Sequence, residues 1–252
     1  MKRFLSFLLV LSLFAVPFPA LADSLALLED YAEEISIQYD EDDPSAGTFL
    51  YSWRYPHADE EAEGAANINE FYSSLIYEQE FYLEMARDAF EGYDSSTVIT
   101  YTVTCSNDDY FSVLLRTESH NPDMSRVFWT GNVFSRRHGA GGKSFSLPKL
   151  LGILDPDESE EWKQDYQTEK ADTLIREMVW DMIEENEEGT DYNGLTEEDL
   201  ANIFFPEEHF YLDQNGDPVF YLQPSDVYPD GVPEGTELLV FPISIEDILD
   251  EL

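Results

Sequence analysis

Two long stretches of this chain carry apolar residues at the three- and four-residue spacing of a helix that packs against a core. They cover residues 65–90 and 158–186. The stripe of the first comprises Ile68, Phe71, Tyr72, Leu75, Tyr82, Met85, Ala86 and Phe90. The stripe of the second comprises Leu174, Ile175, Met178, Val179, Met182 and Ile183. This spacing predicts two long amphipathic helices, and it assigns both stripes to a hydrophobic core.

Most of the other apolar residues lie in short runs rich in β-branched and aromatic side chains. In the middle of the chain, turn-forming Asn, Asp and Pro residues separate three such runs and predict antiparallel strands. Near the C-terminus, Asn215-Gly216 separates two further runs and predicts a β-hairpin, because this pair tolerates positive φ. The predicted strands cover residues 35–39, 48–55, 97–105, 110–117, 126–135, 210–212, 219–222 and 237–242.

Four short helices complete the predicted elements. They cover residues 23–34, the segment after Ser146, the segment from Thr196, and the segment after Ser244, where a Ser-x-x-acid spacing is typical of a helix N-terminus. The pattern predicts an α+β fold with antiparallel β-sheets and long helices packed on one face. We expect two modules, residues 23–154 and 155–252, packed as one compact unit and joined at Asp155-Pro156-Asp157.

The N-terminus has the features of an export signal. Lys2 and Arg3 precede an apolar run from Phe4 to Val16, and Ala20-Leu21-Ala22 forms an Ala-x-Ala site. We therefore predict a signal peptide at residues 1–22, cleaved after Ala22, and a secreted mature protein. A retained membrane anchor is the alternative, but the apolar run is shorter than the roughly 20 residues that a span needs.

The chain is strongly acidic, and this narrows the classes of partner. It has 54 Asp and Glu against 13 Lys and Arg, and its formal net charge is −41. Nucleic acid and anionic membrane surfaces are excluded as expected partners, because binding them needs positive charge. Such a charge favours cationic partners and speeds encounter with them. Solubility outside the cell is an equally good reason for the charge.

The sequence contains no recognisable catalytic or metal-binding motif. We expect no enzyme, no cofactor and no metal, since serine-nucleophile, zinc-protease and dinucleotide motifs are all missing. Asp40, Asp42 and Asp43 lack the glycine and distal glutamate of an EF-hand loop, so we interpret them as a solvated turn. Cys105, the one cysteine, alternates with apolar residues in a strand and is predicted to be buried.

Residues 136–143 form the one basic island, Arg-Arg-His-Gly-Ala-Gly-Gly-Lys. Glycine-rich basic loops can bind phosphate, but the spacing of a P-loop is missing. We therefore interpret this segment as a hairpin turn with solvated cations.

The Pro- and Gly-rich segment after residue 222 is the best candidate for binding. An aromatic side chain beside proline offers a rigid contact at low entropic cost, and loops often carry binding function. We therefore select Tyr228 and Pro229, together with Tyr221 and Pro224, as candidate binding residues. The alternative for Tyr228 is a side chain that folds back over the sheet.

Two separated stretches resemble the extracellular domain of RsiV-type anti-sigma factors. In the C-terminal stretch the matching residues are His209-Phe210-Tyr211-Leu212, Gly216, Val219-Phe220-Tyr221-Leu222, Pro224, Val227, Tyr228, Gly235 and Phe241-Pro242. Upstream, Arg54-Tyr55-Pro56 leads through Gly64 into Ile68-Asn69, as a strand leads into a helix in that family. The module also occurs in secreted or membrane-anchored bacterial proteins, some of them attached to peptidoglycan deacetylases.

The resemblance implies a function. In RsiV-type proteins this domain binds lysozyme, and lysozymes of that kind are basic, which agrees with the acidic charge here. We find no cytoplasmic sigma-binding segment or second apolar span, so we do not expect an anti-sigma factor. We expect a secreted, non-enzymatic binding protein, such as a lysozyme decoy or inhibitor. The alternatives are a module that binds cell-wall glycan or peptidoglycan through exposed aromatics, and an acidic hydrolase.

Overall fold

The computed structural model describes residues 24–40, 42, 44–89, 92–136, 141–153, 161–185, 192–229, 231–233 and 236–252. The predicted signal peptide and the predicted joint at Asp155-Pro156-Asp157 therefore lie outside the described residues. The fold class is α+β, as predicted, with a curled, mostly antiparallel sheet and packed helices. In the described part of the chain, no helix is both long and apolar enough to cross a membrane.

Among the residues that the structure covers, the larger sheet has six strands whose spatial order follows the order of the sequence. The strands are β1 Tyr31–Gln38, β2 Thr48–Tyr55, β3 Ser95–Ser106, β4 Tyr110–Asn121, β5 Met124–Ser135 and β6 Lys143–Ser144. The three predicted central strands are confirmed, and each is longer than the sequence pattern indicated. Their pairing is antiparallel throughout, with one bulge between Val103 and Cys105 of β3.

One strand pair differs from the expectation of purely antiparallel sheets. β2 and β3 are parallel, with Phe49 opposite Ser95 and Trp53 opposite Ile99. The predicted long helix, α1 Ala65–Ala89, lies between them in the sequence and returns the chain to the end of the sheet from which β2 began. A long crossover of this kind is what a parallel pair requires, whereas a hairpin joins antiparallel strands.

The predicted helix at residues 23–34 is wrong. Tyr31 already pairs with Tyr55 at the start of β1, and Leu27 forms an isolated bridge with Ala58. Leu25 is buried, whereas Leu27 and Leu28 are exposed, so the apolar residues do not form one helical face. Pairing with the strongly β-forming sequence of β2 satisfies the backbone of this segment better than an isolated short helix would.

Within the described ranges, the C-terminal half contains a three-stranded antiparallel sheet and five helices. The strands are β7 Phe210–Leu212, β8 Pro218–Leu222 and β9 Leu239–Pro242. The helices are α2 Leu147–Leu150, α3 Glu161–Glu185, α4 Glu197–Ile203, α5 Pro224–Val227 and α6 Ile245–Glu251. The predicted hairpin is confirmed, and Gly216 in its turn has φ of 91°. The four-residue helix α5 was not predicted.

Two hydrophobic cores lie on opposite faces of the larger sheet, because neighbouring residues of a strand point to opposite faces. Phe134 belongs to the core beneath α1, whereas Val133 belongs to the core that also contains α3 and the smaller sheet. Cys105 lies in this second core and is buried, as predicted. Ile175, Val179 and Ile183 of α3 are core residues in agreement with the pattern, but Met182 is exposed.

The two sheets meet where β7 crosses the strands of the larger sheet. A β-carbon at Gly131 would lie 1.9 Å from the carbonyl oxygen of Phe210, so only glycine allows this approach. Close by, the hydroxyl of Ser112 accepts a hydrogen bond from the backbone N–H of Leu212 at 3.0 Å. These two contacts hold β7 in a fixed position on the larger sheet.

Candidate functional site

The segment after β8 begins with a side chain that binds the larger sheet. Gln223 is 1% exposed. Its Oε1 accepts a hydrogen bond from the backbone N–H of Trp129 at 3.1 Å, and its Nε2 donates to the carbonyl oxygen of the same residue at 2.6 Å. Trp129 belongs to β5, which pairs with β6 only at Phe134 and Ser135. Gln223 thus occupies hydrogen-bonding groups of β5 that β6 does not reach.

Tyr221 fixes the same edge of β5. Its hydroxyl accepts a hydrogen bond from the backbone N–H of Gly131 at 3.0 Å and lies 3.3 Å from the carbonyl oxygen of Glu208. The side chain is fully buried, and this burial raises the pKa of the Tyr221 hydroxyl to about 12. Tyr221, one of the four predicted binding residues, therefore connects the two sheets from the interior.

The four candidate residues do not form one surface. Pro224 is buried at the start of α5, as Tyr221 is in β8. Tyr228 is half-buried against the second core, and its backbone N–H donates to the carbonyl oxygen of Pro224 at 2.8 Å. Pro229 is exposed. Of these four residues, Tyr228 and Pro229 are accessible to a partner. Gly235 lies outside the described residues.

A hydrogen bond from Asn193 holds the segment after β8, and two exposed carboxylates lie at or near this segment. The side chain of Asn193 donates from Nδ2 to the carbonyl oxygen of Val227 at 3.1 Å. Asp226 is exposed next to Val227, and Glu208 is exposed just before β7, at the same open end of the hairpin. Both carboxylates act electrostatically on His209, which lies beneath them. The accessible surface of the loop therefore combines an aromatic ring, a proline and acidic side chains.

His209 supports this surface from below. It is buried, its ring lies 5.5 Å from that of Tyr221, and its Nδ1 accepts a hydrogen bond from the backbone N–H of Phe205 at 3.4 Å. Burial lowers the pKa of His209, although the carboxylates of Asp226 and Glu208 oppose this effect. The imidazole is therefore a packing residue that stays neutral near pH 7.

His57 and Cys105 belong to residue types that often serve in catalysis or metal binding. His57 stacks on Tyr31 with ring centroids 4.1 Å apart, while His138 lies outside the described ranges. Burial raises the pKa of the Cys105 thiol to about 12, so it is a weak nucleophile. Across the ranges that the structure covers, no group of three or more His, Cys, Asp or Glu residues could hold a metal ion.

The basic island was predicted to be a turn with solvated cations, and this prediction is wrong for Arg136. Arg136 is buried, and its guanidinium donates to the carbonyl oxygen of Asn107 at 2.5 Å. Lys143 is exposed in β6. Residues 137–140 lie outside the described ranges, so the rest of the island stays a prediction. Arg136 is a structural residue that connects β5 to the β3–β4 turn.

Several large side chains on α1 are exposed although the sequence pattern did not predict it. Tyr82 and Met85 were assigned to the core stripe, yet both are exposed, together with Tyr77 and Phe81. Ile68 and Tyr72, one to two turns from the start of the same helix, are fully buried. The sequence does contain a signal, because Tyr77, Phe81 and Met85 recur every four residues on a line that differs from the stripe of Ile68 and Tyr72.

Comparison with known proteins defines the fold. No family model matches the chain, and no curated protein matches it in sequence. Among solved structures, similar chains belong to the DUF3298 family, a domain family of unknown function. A member from Bacteroides fragilis NCTC 9343 has a TM-score of 0.52 at 12% identity, covering 89% of this chain and 93% of its own. One from Pseudomonas aeruginosa PAO1 has a TM-score of 0.50 at 15% identity, with coverages of 90% and 93%.

At these identities the similarity establishes the fold alone. The chain therefore has the architecture of DUF3298 structures over nearly its whole length. The resemblance to RsiV-type ectodomains is not in conflict with this architecture and stays a prediction.

Proposed function

We propose that this protein is a secreted, non-enzymatic binding protein and that it binds a basic protein of the lysozyme type through Tyr228, Pro229 and Asp226. The observation that carries this proposal is the segment 223–229 after β8, the Tyr228 loop, which hydrogen bonds hold in place. Gln223 and Tyr221 attach its beginning to β5, and Tyr228 and Pro229 lie at its accessible end.

A preformed loop favours binding because little conformational entropy is lost when a partner docks. Proline at residue 229 restricts the backbone next to the ring of Tyr228. The backbone of α5 is further held by hydrogen bonds from Val227 to Gln223 and from Tyr228 to Pro224. Aromatic side chains presented in this way are frequent energetic centres of protein interfaces.

Charge supports a basic partner. The net charge of −41 produces a negative field that attracts cationic proteins and raises their association rate at low salt. Asp226 places one exposed carboxylate directly beside the proposed contact surface. Its position predicts a local contribution to affinity beyond the general attraction of the whole molecule.

The test is a pull-down of purified residues 23–252 against basic lysozyme and against insoluble peptidoglycan, at low and at physiological ionic strength. We expect lysozyme to be retained, and retention to weaken steeply towards about 0.15 M salt because screening shortens the range of the attraction. Retention on peptidoglycan that salt does not change would instead support glycan binding. Retention of neither would contradict the proposal.

A matched pair of variants distinguishes binding through the Tyr228 loop from attraction by the net charge of the whole molecule. Asp226→Lys and Asp181→Lys change the net charge equally, and both positions are exposed, but Asp181 lies on α3. We expect Asp226→Lys to weaken lysozyme binding at least tenfold more than Asp181→Lys, in the range of a central interface residue. Equal losses would show that binding is diffuse and that the loop is not the contact surface.

Export is tested separately in a bacterial host. We expect the protein to be recovered outside the cytoplasm with Asp23 as its first residue. Full-length protein retained in a membrane fraction would contradict this part of the proposal.

A further inference from the structure

The C-terminal half of α1 exposes a continuous set of large apolar side chains. Tyr77 is 75% exposed, Phe81 59%, Tyr82 54% and Met85 49%. Tyr77, Phe81 and Met85 recur every four residues and form one ridge along the helix. A soluble protein seldom leaves a contiguous apolar ridge of this length in water unless it serves an interaction.

Next to this ridge, a groove of about 500 Å³ lies between α1 and the larger sheet. Its lining includes Tyr51, Tyr82, Met85, Thr97, Ile99 and Thr117. The sheet residues beneath the helix are small here: Thr97 on β3, and Thr117 and Ser119 on β4. Their small side chains leave the space that forms the groove. At the inner end, the hydroxyl of Tyr51 donates to Oε1 of Gln79 at 2.6 Å and connects the sheet to the helix.

Carboxylates flank the ridge. Glu78, Glu80 and Glu84 are exposed, and they alternate with the aromatic residues along the sequence. Between Ala65 and Ala86 the helix has no Lys or Arg, and Arg87 in its last turn is followed by Asp88. An occupant of this surface must therefore offer apolar side chains to the groove and positive charge to its margins.

We propose that the groove and the Tyr77–Phe81–Met85 ridge bind a cationic amphipathic segment, one whose apolar face is bordered by Lys or Arg. A volume of about 500 Å³ falls within the range of ligand pockets and accommodates apolar side chains of such a segment. This surface is formed by different residues from the Tyr228 loop, so the inference goes beyond the proposed function.

Charge complementarity favours a cationic segment over two other occupants, a second copy of this chain and an anionic lipid surface. A second copy of the chain would bring another net charge of −41 and the same glutamates against this face. Like charges placed opposite each other in an interface are strongly unfavourable. An anionic lipid surface is disfavoured for the same reason.

The test uses a synthetic Leu/Lys peptide of roughly 18 residues, five helical turns, with all leucines on one face. A second peptide has the same composition in an order that distributes the leucines around the helix. Binding of each to residues 23–252 is measured by fluorescence anisotropy at physiological salt. We expect the amphipathic peptide to bind at least tenfold more tightly than the reordered one. Equal affinities, or no binding of either peptide, would overturn the proposal.

Variants locate the binding surface. Tyr77→Ser combined with Phe81→Ser should weaken binding of the amphipathic peptide at least tenfold. Tyr166→Ser is the matched control, because Tyr166 is an aromatic residue 64% exposed on the acidic helix α3. All three side chains are exposed, so the variants should fold normally. An unchanged affinity in the double variant would contradict the assignment.

A groove-filling variant provides an independent check without a change of charge. Thr117→Trp places a large ring in the groove and should also block the peptide. If the double variant instead lost binding to insoluble peptidoglycan and kept the peptide, the surface would be a glycan site and the proposal would be wrong. Asp226→Lys should leave peptide binding unchanged, which separates failure of this inference from failure of the proposed function.

Discussion

The side chains of Gln223 and Tyr221 form hydrogen bonds with the backbone at the edge of β5. A neighbouring β-strand would form such bonds with its own backbone. Gln223 contacts both backbone polar groups of Trp129, and Tyr221 accepts from the N–H of Gly131. Buried backbone groups need partners, because an unpaired one is costly. Because no local pattern reveals this role, we predicted Tyr221 on the binding surface and did not select Gln223.

The substitution Gln223→Glu should destabilise the fold in a pH-dependent way. At pH 7 the carboxylate would face the carbonyl oxygen of Trp129, and we expect a loss of about 2–3 kcal/mol in the free energy of unfolding. Burial should raise the pKa of this carboxyl in the folded state. The deficit relative to wild type should therefore be largest above that raised pKa and shrink as the pH falls through it.

Urea unfolding of the wild type and of the Gln223→Glu variant between pH 4 and 7 measures the difference in their free energies of unfolding. Gln223→Met is the control. Methionine removes both hydrogen bonds and cannot titrate, so its deficit should not vary with pH. If the deficit of the Gln223→Glu variant were constant across the range, the assigned hydrogen bonds would be contradicted.

Gly131→Ala should be among the most destabilising single substitutions in the protein. Its β-carbon would lie 1.9 Å from the carbonyl oxygen of Phe210, so β7 must move away from β5. We expect a loss of about 3 kcal/mol or more, in the range of severe substitutions. Gly141→Ala is the control, because its β-carbon would meet neighbours at ordinary distances of 3.5 Å and above. Similar unfolding midpoints for the two variants in urea would contradict the proposed packing.

At the scale of elements, the predictions held best where a local interaction decides the structure. The Ser-x-x-acid spacing after Ser244 predicted α6, and Ser244 accepts a hydrogen bond from the backbone N–H of Asp247 at 3.1 Å. The parallel pairing of β2 with β3 could not be read from the sequence, because it depends on where a long crossover returns the chain. The strand at residues 31–34 likewise depends on pairing with β2.

The helix α4 offers a test of one such local interaction. Thr196 and Asp199 form a reciprocal capping box, with the backbone N–H of Asp199 donating to Thr196 at 3.2 Å. Thr196→Ala should lower the free energy of unfolding by about 1 kcal/mol. Thermal unfolding followed by circular dichroism measures the loss. Glu197→Ala, exposed in the same first turn, should cost less, and the reverse order would contradict the capping role.

The same box predicts a pH dependence. Hydrogen bonds from Thr196 lower the pKa of Asp199 below its ordinary value. The Asp199 carboxylate should therefore stabilise the fold at pH values above the pKa of an aspartate in the unfolded chain. This stabilisation should be lost as the pH falls through the lower pKa of Asp199 in the folded protein. Comparing Asp199→Asn with wild type across this range should show a difference at pH 7 that disappears in acid.

At the scale of the whole molecule, the two stretches that carry the RsiV resemblance lie on one scaffold. Tyr55, Ala58 and Ile68 pack in the core beneath α1, and Phe210 and Phe220 pack in the core on the other face of the larger sheet. Composition predicted the charge and the aromatic content of this scaffold. It could not predict which aromatic residues are exposed, because that depends on how closely each part of α1 packs against the sheet.

The net charge of −41 should make stability depend on salt. Repulsion among carboxylates opposes compaction, and added ions screen it. We expect Tm to rise between about 0.01 M and 0.15 M sodium chloride, by roughly 2–4 °C for each kcal/mol of repulsion removed. A Tm that stays constant or falls in a calorimetric scan would show that the acidic groups are compensated in the folded state.

Amide hydrogen exchange of residues 23–252, recorded with and without basic lysozyme, tests the proposed function most directly. We expect lysozyme to slow exchange at the backbone N–H groups of Asp226, Val227 and Tyr228, and to leave the distant β4–β5 turn at Asp123 unchanged. Unaltered exchange throughout the chain, or slowing confined to surfaces away from the Tyr228 loop, would contradict the proposed binding site.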